Sequence, residues 1–265
     1  MELQLDHIVH FIKGSPKKAI DEWEKIGYQA VIGGSHEKWG TFNSLLYNST
    51  SYIEFLAVED EGIAQNSDNP LISQLVSDLH KGEGIGQICF RTNDILTVKN
   101  ELEKKGCKTF PIFPGSRKRQ DGSTIKWKML FIKQESTLPS PFFIEWEQQD
   151  EDRYNELKKL GMVDQKLAKH QIQSINFACN NGEESAKEWS QLFDFPISHT
   201  EKDRESSLIK TTINCGTTKI IFCEPLDANG IVYDTLKLRG ERPFLVQLEP
   251  ELLTQPIFLF GSCYQ

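Results

Sequence analysis

The feature that most constrains this chain is an internal repeat, in which a strand, a helix and three further strands recur in the same order. In the first copy a strand over 3–12 leads into a helix over 16–26, with Pro16 in its first turn and Gly27 at its end. Strands are expected over 28–32, 42–47 and 52–58, the last two joined by the polar turn Asn48-Ser49-Thr50-Ser51. The second copy opens with a strand over 84–91 and a helix over 94–105, capped by Asp94 and stopped by Gly106. Its later strands are expected over 108–112, 125–133 and 142–147, with Asp121-Gly122 turning the chain before the third strand. Residues 59–83 between the copies are polar and hold an amphipathic piece at 70–79, read as a crossover connection.

A charged segment over 148–169, with a linking helix at 153–160, separates these copies from a third. There a strand over 172–179 and a helix over 183–193 precede a strand pair, 207–214 and 219–223, around Gly216. Two further strands, 244–248 and 257–260, read as a truncated fourth unit or as edge strands. The fold class expected is therefore α+β: tandem βαβββ modules forming a curled mixed sheet around a cleft, plus a degenerate third module. The paired modules occupy residues 1–150, and the third module with the C-terminal strands occupies 165–265.

Composition narrows the partners. The chain has 265 residues, 38% apolar and 26% charged, enough for a real core in water. No apolar run approaches the roughly 18 residues of a membrane span. Met1-Glu2-Leu3-Gln4-Leu5-Asp6 lacks a basic region followed by an apolar stretch, so no secretory signal is read and a cytoplasmic location is expected, with no membrane partner. A net charge of −8 argues against a general binder of nucleic-acid phosphates. Cys89, Cys107, Cys179, Cys215, Cys223 and Cys263 show no C-x-x-C spacing and read as small buried hydrophobes rather than a zinc or redox pair.

Equivalent positions in a repeat point at equivalent places. Aligning Leu5-Asp6-His7-Ile8 with Ile85-Gly86-Gln87-Ile88 matches His7 to Gln87, and aligning Tyr52-Ile53-Glu54-Phe55 with Phe143-Ile144-Glu145-Trp146 matches Glu54 to Glu145. A carboxylate between Ile53 and Phe55 is costly to bury unpaired. If the two sheet faces curl together, His7, Glu54, Gln87 and Glu145 converge as a mixed nitrogen and oxygen site for a divalent ion such as zinc, nickel, manganese or iron(II). Each has a plainer reading. His7 could be a core histidine held by a carbonyl; Glu54 and Glu145 could pair with Lys126 or Lys128; Gln87 could tie backbone groups together. The repeat alignment favours the metal reading.

These modules and pairs resemble the vicinal oxygen chelate superfamily, which includes glyoxalase I, extradiol dioxygenases and antibiotic-resistance proteins. More narrowly, Leu5-Asp6-His7-Ile8-Val9, Gly33-Gly34-Ser35-His36, Trp39-Gly40-Thr41, Asn43, Tyr52-Ile53-Glu54, Arg119-Gln120-Asp121-Gly122 and Pro141-Phe142-Phe143-Ile144-Glu145-Trp146 resemble the glyoxalase-like domain over roughly residues 3–150. The resemblance implies a metal cleft open to a small oxygen-chelating substrate. It implies lyase or isomerase chemistry in which the metal is a Lewis acid and Glu145 leaves it to act as base. The run 33–36 is read as a flexible flap beside the cleft, with His36 contacting substrate. Trp39 and Trp127, with Phe143, are expected to line the cleft, and Arg119 to meet an anionic substrate group. His10 is three positions from His7, so it is expected on the other face as a structural residue.

Two alternatives stand beside this: a metal-free protein that binds or sequesters a small molecule in the manner of bleomycin-resistance proteins, and an extradiol-type dioxygenase, which Gln rather than His at 87 disfavours. The third copy carries Ser174 and Ile221 at the ligand positions, with Glu224 beyond them, and reads as a module that covers an edge or builds a homodimer.

Overall fold

The protein is described here by a computed structural model that covers residues 1–118, 122, 124–133, 136–249, 253 and 255–265. In chain order the first unit is β1 (Gln4–Phe11), α1 (Lys17–Lys25), β2 (Val31–His36), β3 (Thr41–Tyr47) and β4 (Tyr52–Val58). Helices α2 (Glu61–Gln65) and α3 (Pro70–Lys81) cross to the second unit. That unit is β5 (Gly84–Arg91), α4 (Ile95–Lys104), β6 (Phe113–Lys118), β7 (Thr124–Leu130) and β8 (Phe142–Trp146). After the linking helix α5 (Asp150–Lys159) the third unit is β9 (Gln171–Ala178), α6 (Gly182–Phe193), β10 (Ile197–Asp203), β11 (Leu208–Cys215) and β12 (Thr218–Pro225). Helix α7 (Gly230–Arg239) then precedes β13 (Arg242–Glu249), β14 (Ile257–Leu259) and β15 (Ser262–Tyr264).

Two curled mixed sheets result, ordered β2-β3-β4-β1-β5-β8-β7-β6 and β10-β11-β12-β9-β13-β15-β14. In each unit the last strand lies parallel to the first, as β4 does to β1, β8 to β5 and β12 to β9. The first strands of neighbouring units run antiparallel: β1 with β5, and β9 with β13. Because β15 also runs parallel to β13 and β14 pairs with β15, the tail is arranged as a truncated fourth unit, with two strands and no helix after β13 among the described residues.

Every first strand carries a β-bulge at the same place. Leu5 pairs with Phe90 and His7 with Cys89, leaving Asp6 unpaired; Val9 pairs with Gln87 and His10 with Ile85, leaving Gly86 unpaired. In the second sheet the corresponding residues are Gln173 and Phe244. Such bulges bend a strand and raise its twist, as a sheet that curls around a cleft requires.

One core spans both sheets. Ile8, Phe55, Ile88, Phe90 and Phe143 from the first sheet join Ile175, Phe177, Trp189, Phe193 and Phe222 from the second unit pair in a single buried cluster. A second cluster fills part of the first cleft, where Leu71, Ile72 and Leu75 of α3 pack with Val9, Phe11, Cys89, Trp127, Met129 and Phe142.

Several boundaries differ from those expected. The Gly33-Gly34-Ser35-His36 run is not a flap but part of β2, because pairing with β3 supplies hydrogen bonds that override the poor strand propensity of glycine. The second strand of unit two lies at 113–118 rather than 108–112. Strand β10 was not foreseen, since it is an edge strand whose side chains are nearly all exposed and it has no apolar alternation to read. Helix α7 was also not foreseen. Among the described residues no helix is long and apolar enough to cross a membrane.

Candidate functional site

The bulge at Asp6 lets two successive residues of β1 serve one site. His7 Nδ1 lies 2.7 Å from Asp6 Oδ1, and Asp6 Oδ2 accepts from Trp146 Nε1 at 3.0 Å and Arg153 Nη2 at 3.1 Å. Burial alone would raise the Asp6 carboxyl, but Arg153 and the bond to His7 hold it well below the usual carboxylate range. An ionised carboxylate can only accept, so His7 Nδ1 carries a proton, and in the neutral ring Nε2 is the nitrogen with the lone pair. The ring is fixed by Tyr52, stacked at 4.6 Å between centroids, and by the edge of Phe142 at 5.5 Å.

From Nε2 the polar chain continues. Glu54 Oε2 stands 3.6 Å away, Glu54 Oε1 accepts from Asn43 Nδ2, and Asn43 Oδ1 accepts from Arg117 Nη1 at 3.3 Å. Arg117, Asn43, Glu54, His7, Asp6 and Arg153 thus form one line through the first sheet. With the ring neutral, the gap between His7 Nε2 and Glu54 Oε2 has an acceptor on each side and suits a proton or another positive centre placed between them.

Around this line lies a cavity of about 720 Å³ counted with its open mouth. Trp39, Trp127, Trp146, Phe142 and Tyr52 make its aromatic walls, and Leu71 and Ile72 of α3 contribute an apolar side. Trp127 stands 6.5 Å from Trp39 and 5.4 Å from Trp146 between centroids. His36 shares this wall and is bonded to Thr41 Oγ1 at 3.1 Å. Burial pushes its imidazole down to about 4, against the pull of Glu54 and with help from Arg117, so it is neutral near pH 7.

The structure brings together His7, Glu54, His36, Trp39 and Trp127 of the residues singled out by sequence; Arg119 lies outside the described residues. Gln87 is on the His7 face but sits beneath α3, where its Nε2 donates to Gln74 Oε1 at 2.8 Å and its own Oε1 has no partner. Phe143 faces the shared core rather than the cleft, and Phe142 takes its place.

Glu145 is on the opposite face of β8. Its Oε2 accepts from the backbone N–H of Ile95 at 2.8 Å, at the start of α4, and its Oε1 pairs with Lys128 Nζ at 2.6 Å. The register explains the displacement. Val9 pairs with Glu54 in unit one, and its counterpart Cys89 pairs with Phe142 in unit two, so Phe142 rather than Glu145 occupies the position of Glu54. In unit three Ser174 pairs with Lys219, which makes Ile221 the counterpart of Glu54 and places Glu224 where Glu145 stands. Glu224 indeed accepts from the N–H of Gly182 at the start of α6, so both carboxylates satisfy the first orphan donor of their unit's helix.

Reasoning from sequence missed Asp6, Arg117 and Arg153 as members of the site. Asp6 depends on the bulge, and Arg153 reaches the site from what reads as a linker. Asp6, His7 and Cys89 also bring one possible metal-ligand atom each within 4.8 Å of one another.

A model of the glyoxalase-like domain matches residues 5–193. The chain belongs to the glyoxalase-like domain family. Among solved structures, a hypothetical protein from Staphylococcus aureus is 26% identical with a TM-score of 0.79, covering 99% of this chain and 98% of that one. A 4-hydroxymandelate synthase variant from Streptomyces coelicolor shares the fold at 10% identity and a TM-score of 0.63, over 94% of this chain and 71% of that one. A fusion of a xylose isomerase-like TIM barrel with 4-hydroxyphenylpyruvate dioxygenase is similar at 12% identity and a TM-score of 0.54, over 92% of this chain and 36% of that one. Comparison with curated proteins gave no match. In this glyoxalase-like chain the described cavity with the charged line lies in the first sheet.

Proposed function

We propose that this glyoxalase-like protein binds a small molecule in the cavity of the first sheet and moves a proton on it through His7, in chemistry of isomerase or lyase type. The observation that carries the reading is the Asp6-held imidazole, whose free Nε2 faces Glu54 within an aromatic enclosure. Asp6 orients the ring and stabilises the imidazolium that forms when Nε2 takes a proton. Glu54, fixed by Asn43, stands where it favours that positive charge. The aromatic walls exclude water and strengthen both effects.

The four-ligand metal set expected from the repeat does not fit these residues. Glu145 faces away and is engaged by Ile95 and Lys128, Phe142 stands at its expected position, and Gln87, tied by its Nε2 to Gln74 of α3, is not among the residues that line the cavity. Using Asp6, His7 and Cys89 instead would take Asp6 from Arg153 and Trp146. His7 and Glu54 are the two cavity-facing donors left, and no step is derived through a metal.

The test is deuterium exchange. Small carbonyl compounds with an acidic α-hydrogen are incubated with the protein in deuterium oxide and followed by NMR. A compound that exchanges with wild type should lose at least about a hundredfold in rate with His7→Gln, the scale of general-base catalysis. Exchange unaffected by His7→Gln would sink the proposal. Saturable binding without exchange would favour the sequestering role instead.

A further inference from the structure

We infer that Arg117 is the receptor for an anionic group of the ligand, and that the cavity takes a planar apolar carboxylate. This rests on the small-molecule reading above and names the class of molecule. Arg117 is on β6, in the second unit, yet it lines the same cavity as His7 and the residue is only 8% exposed. Among the described residues no carboxylate forms an ion pair with it. Its Nε has no partner, and its described bonds to the first unit go to neutral groups, the amide of Asn43 at 3.3 Å and the phenol of Tyr47. A buried guanidinium with no anion beside it among the described residues and an unfilled Nε donor is costly, and a bound anion removes that cost. Arg153, the other arginine of the cavity, is already engaged by Asp6 and lies over Trp146 at 4.4 Å.

The backbone around Arg117 is shaped for this reach. A Cβ on Gly33 would lie 2.0 Å from Asn43 Oδ1 and 2.8 Å from Arg117 Nη1, so the bare backbone of β2 makes room for an arginine from the facing edge strand. A Cβ on Gly115 would lie 2.2 Å from Trp127 Nε1, so the second glycine lets the indole lie flat along β6, two residues from Arg117. The pair of glycines thus sets a cation at the end of an aromatic slot. A carboxylate matches the planar fork of a guanidinium, and a flat apolar body matches the tryptophan walls. Arg119, expected to meet an anionic group, lies outside the described residues.

Isothermal titration of the full-length protein with 2-naphthoate and its neutral isostere 2-naphthamide tests this. Wild type should bind 2-naphthoate at least tenfold more tightly than 2-naphthamide. Arg117→Met should abolish that preference while leaving 2-naphthamide affinity within about twofold, and Arg117→Lys should keep part of the preference. Thermal melts and near-ultraviolet circular dichroism establish that each variant is folded. If wild type binds both probes equally, or Arg117→Met keeps the preference, Arg117 is not the anion receptor and the small-molecule reading stands. If wild type binds neither probe, this inference fails and the cavity reading fails with it.

Discussion

In the first sheet the residue after the bulge of β1 is His7, and Glu54 stands on the neighbouring strand; in the second sheet the same positions carry Ser174 and Ile221. Ser174 gives its hydroxyl to Gln247 at 2.6 Å, and Ile221 packs with Val232 and Leu236 of α7. Helix α7 thus brings apolar side chains to a cleft that carries no equivalent of the charged line. The corresponding helix of the first sheet, α3, lines the cavity with Leu71 and Ile72 and leaves space beside them. Both sheets keep the bulges, including in units with no charged site. Bulging therefore belongs to curling the sheet, and the chemistry depends on which residue each bulged strand happens to carry.

The largest effect expected from separating the two sheets is loss of the fold. The shared core joins Ile8 and Phe55 to Phe177 and Phe222, and His10 of β1 bonds Tyr264 and Phe260 from the C-terminal tail. A chain ending near residue 165 should aggregate, because that face would be exposed. Light scattering and thermal melting will show it. A soluble monomer melting at the full-length temperature would mean that the sheets are independent.

Acid should loosen the same junction more gently. Burial pushes the His10 imidazole from 6.5 down to about 3. The unfolded chain therefore takes up this proton first, so the stability that neutral His10 contributes is complete above about pH 6.5 and is lost as pH falls toward 3. The expected slope is about 1.4 kcal/mol per pH unit for one proton. Denaturant titrations at pH 6 and pH 4 should show His10→Gln with a shallower loss than wild type. His36, lowered to about 4, adds a similar slope in both proteins. An unchanged slope in His10→Gln would place the acid sensitivity elsewhere.

The smallest effect sharpens the comparison within the first sheet. Glu145→Gln should cost under about 1 kcal/mol, since it weakens one largely exposed ion pair and one bond at a helix start. Ligand binding and any uptake of divalent ions should stay within twofold of wild type, measured by calorimetry and elemental analysis. A large loss of either would return Glu145 to the site.

Much of the fold was legible because its apolar periods recur. The repeat predicts the βαβββ units, and the crossover piece at 70–79 lies within α3. His7 and Glu54 also emerge from the repeat, since a histidine and a carboxylate inside apolar strands each need a partner. Aligning Glu54 with Glu145 by their shared Ile-Glu pair is three residues out of register, and an odd slip turns a side chain to the opposite face. Strand β10 and the first-sheet role of Arg153 left no comparable periodic signal.

By itself the sequence determined the order of the units, the α+β class and the presence of an imidazole and a carboxylate in the first unit. These follow from local periodicity and from the cost of burying polar groups in apolar strands. Tertiary structure alone decided that Asp6 turns toward His7, that Glu145 turns away to the start of α4, and that Arg117 and Arg153 converge on one cavity. The physical reason is that strand register, bulges and the meeting of distant edge strands are set by pairing across the whole sheet, and no window of neighbouring residues contains that information.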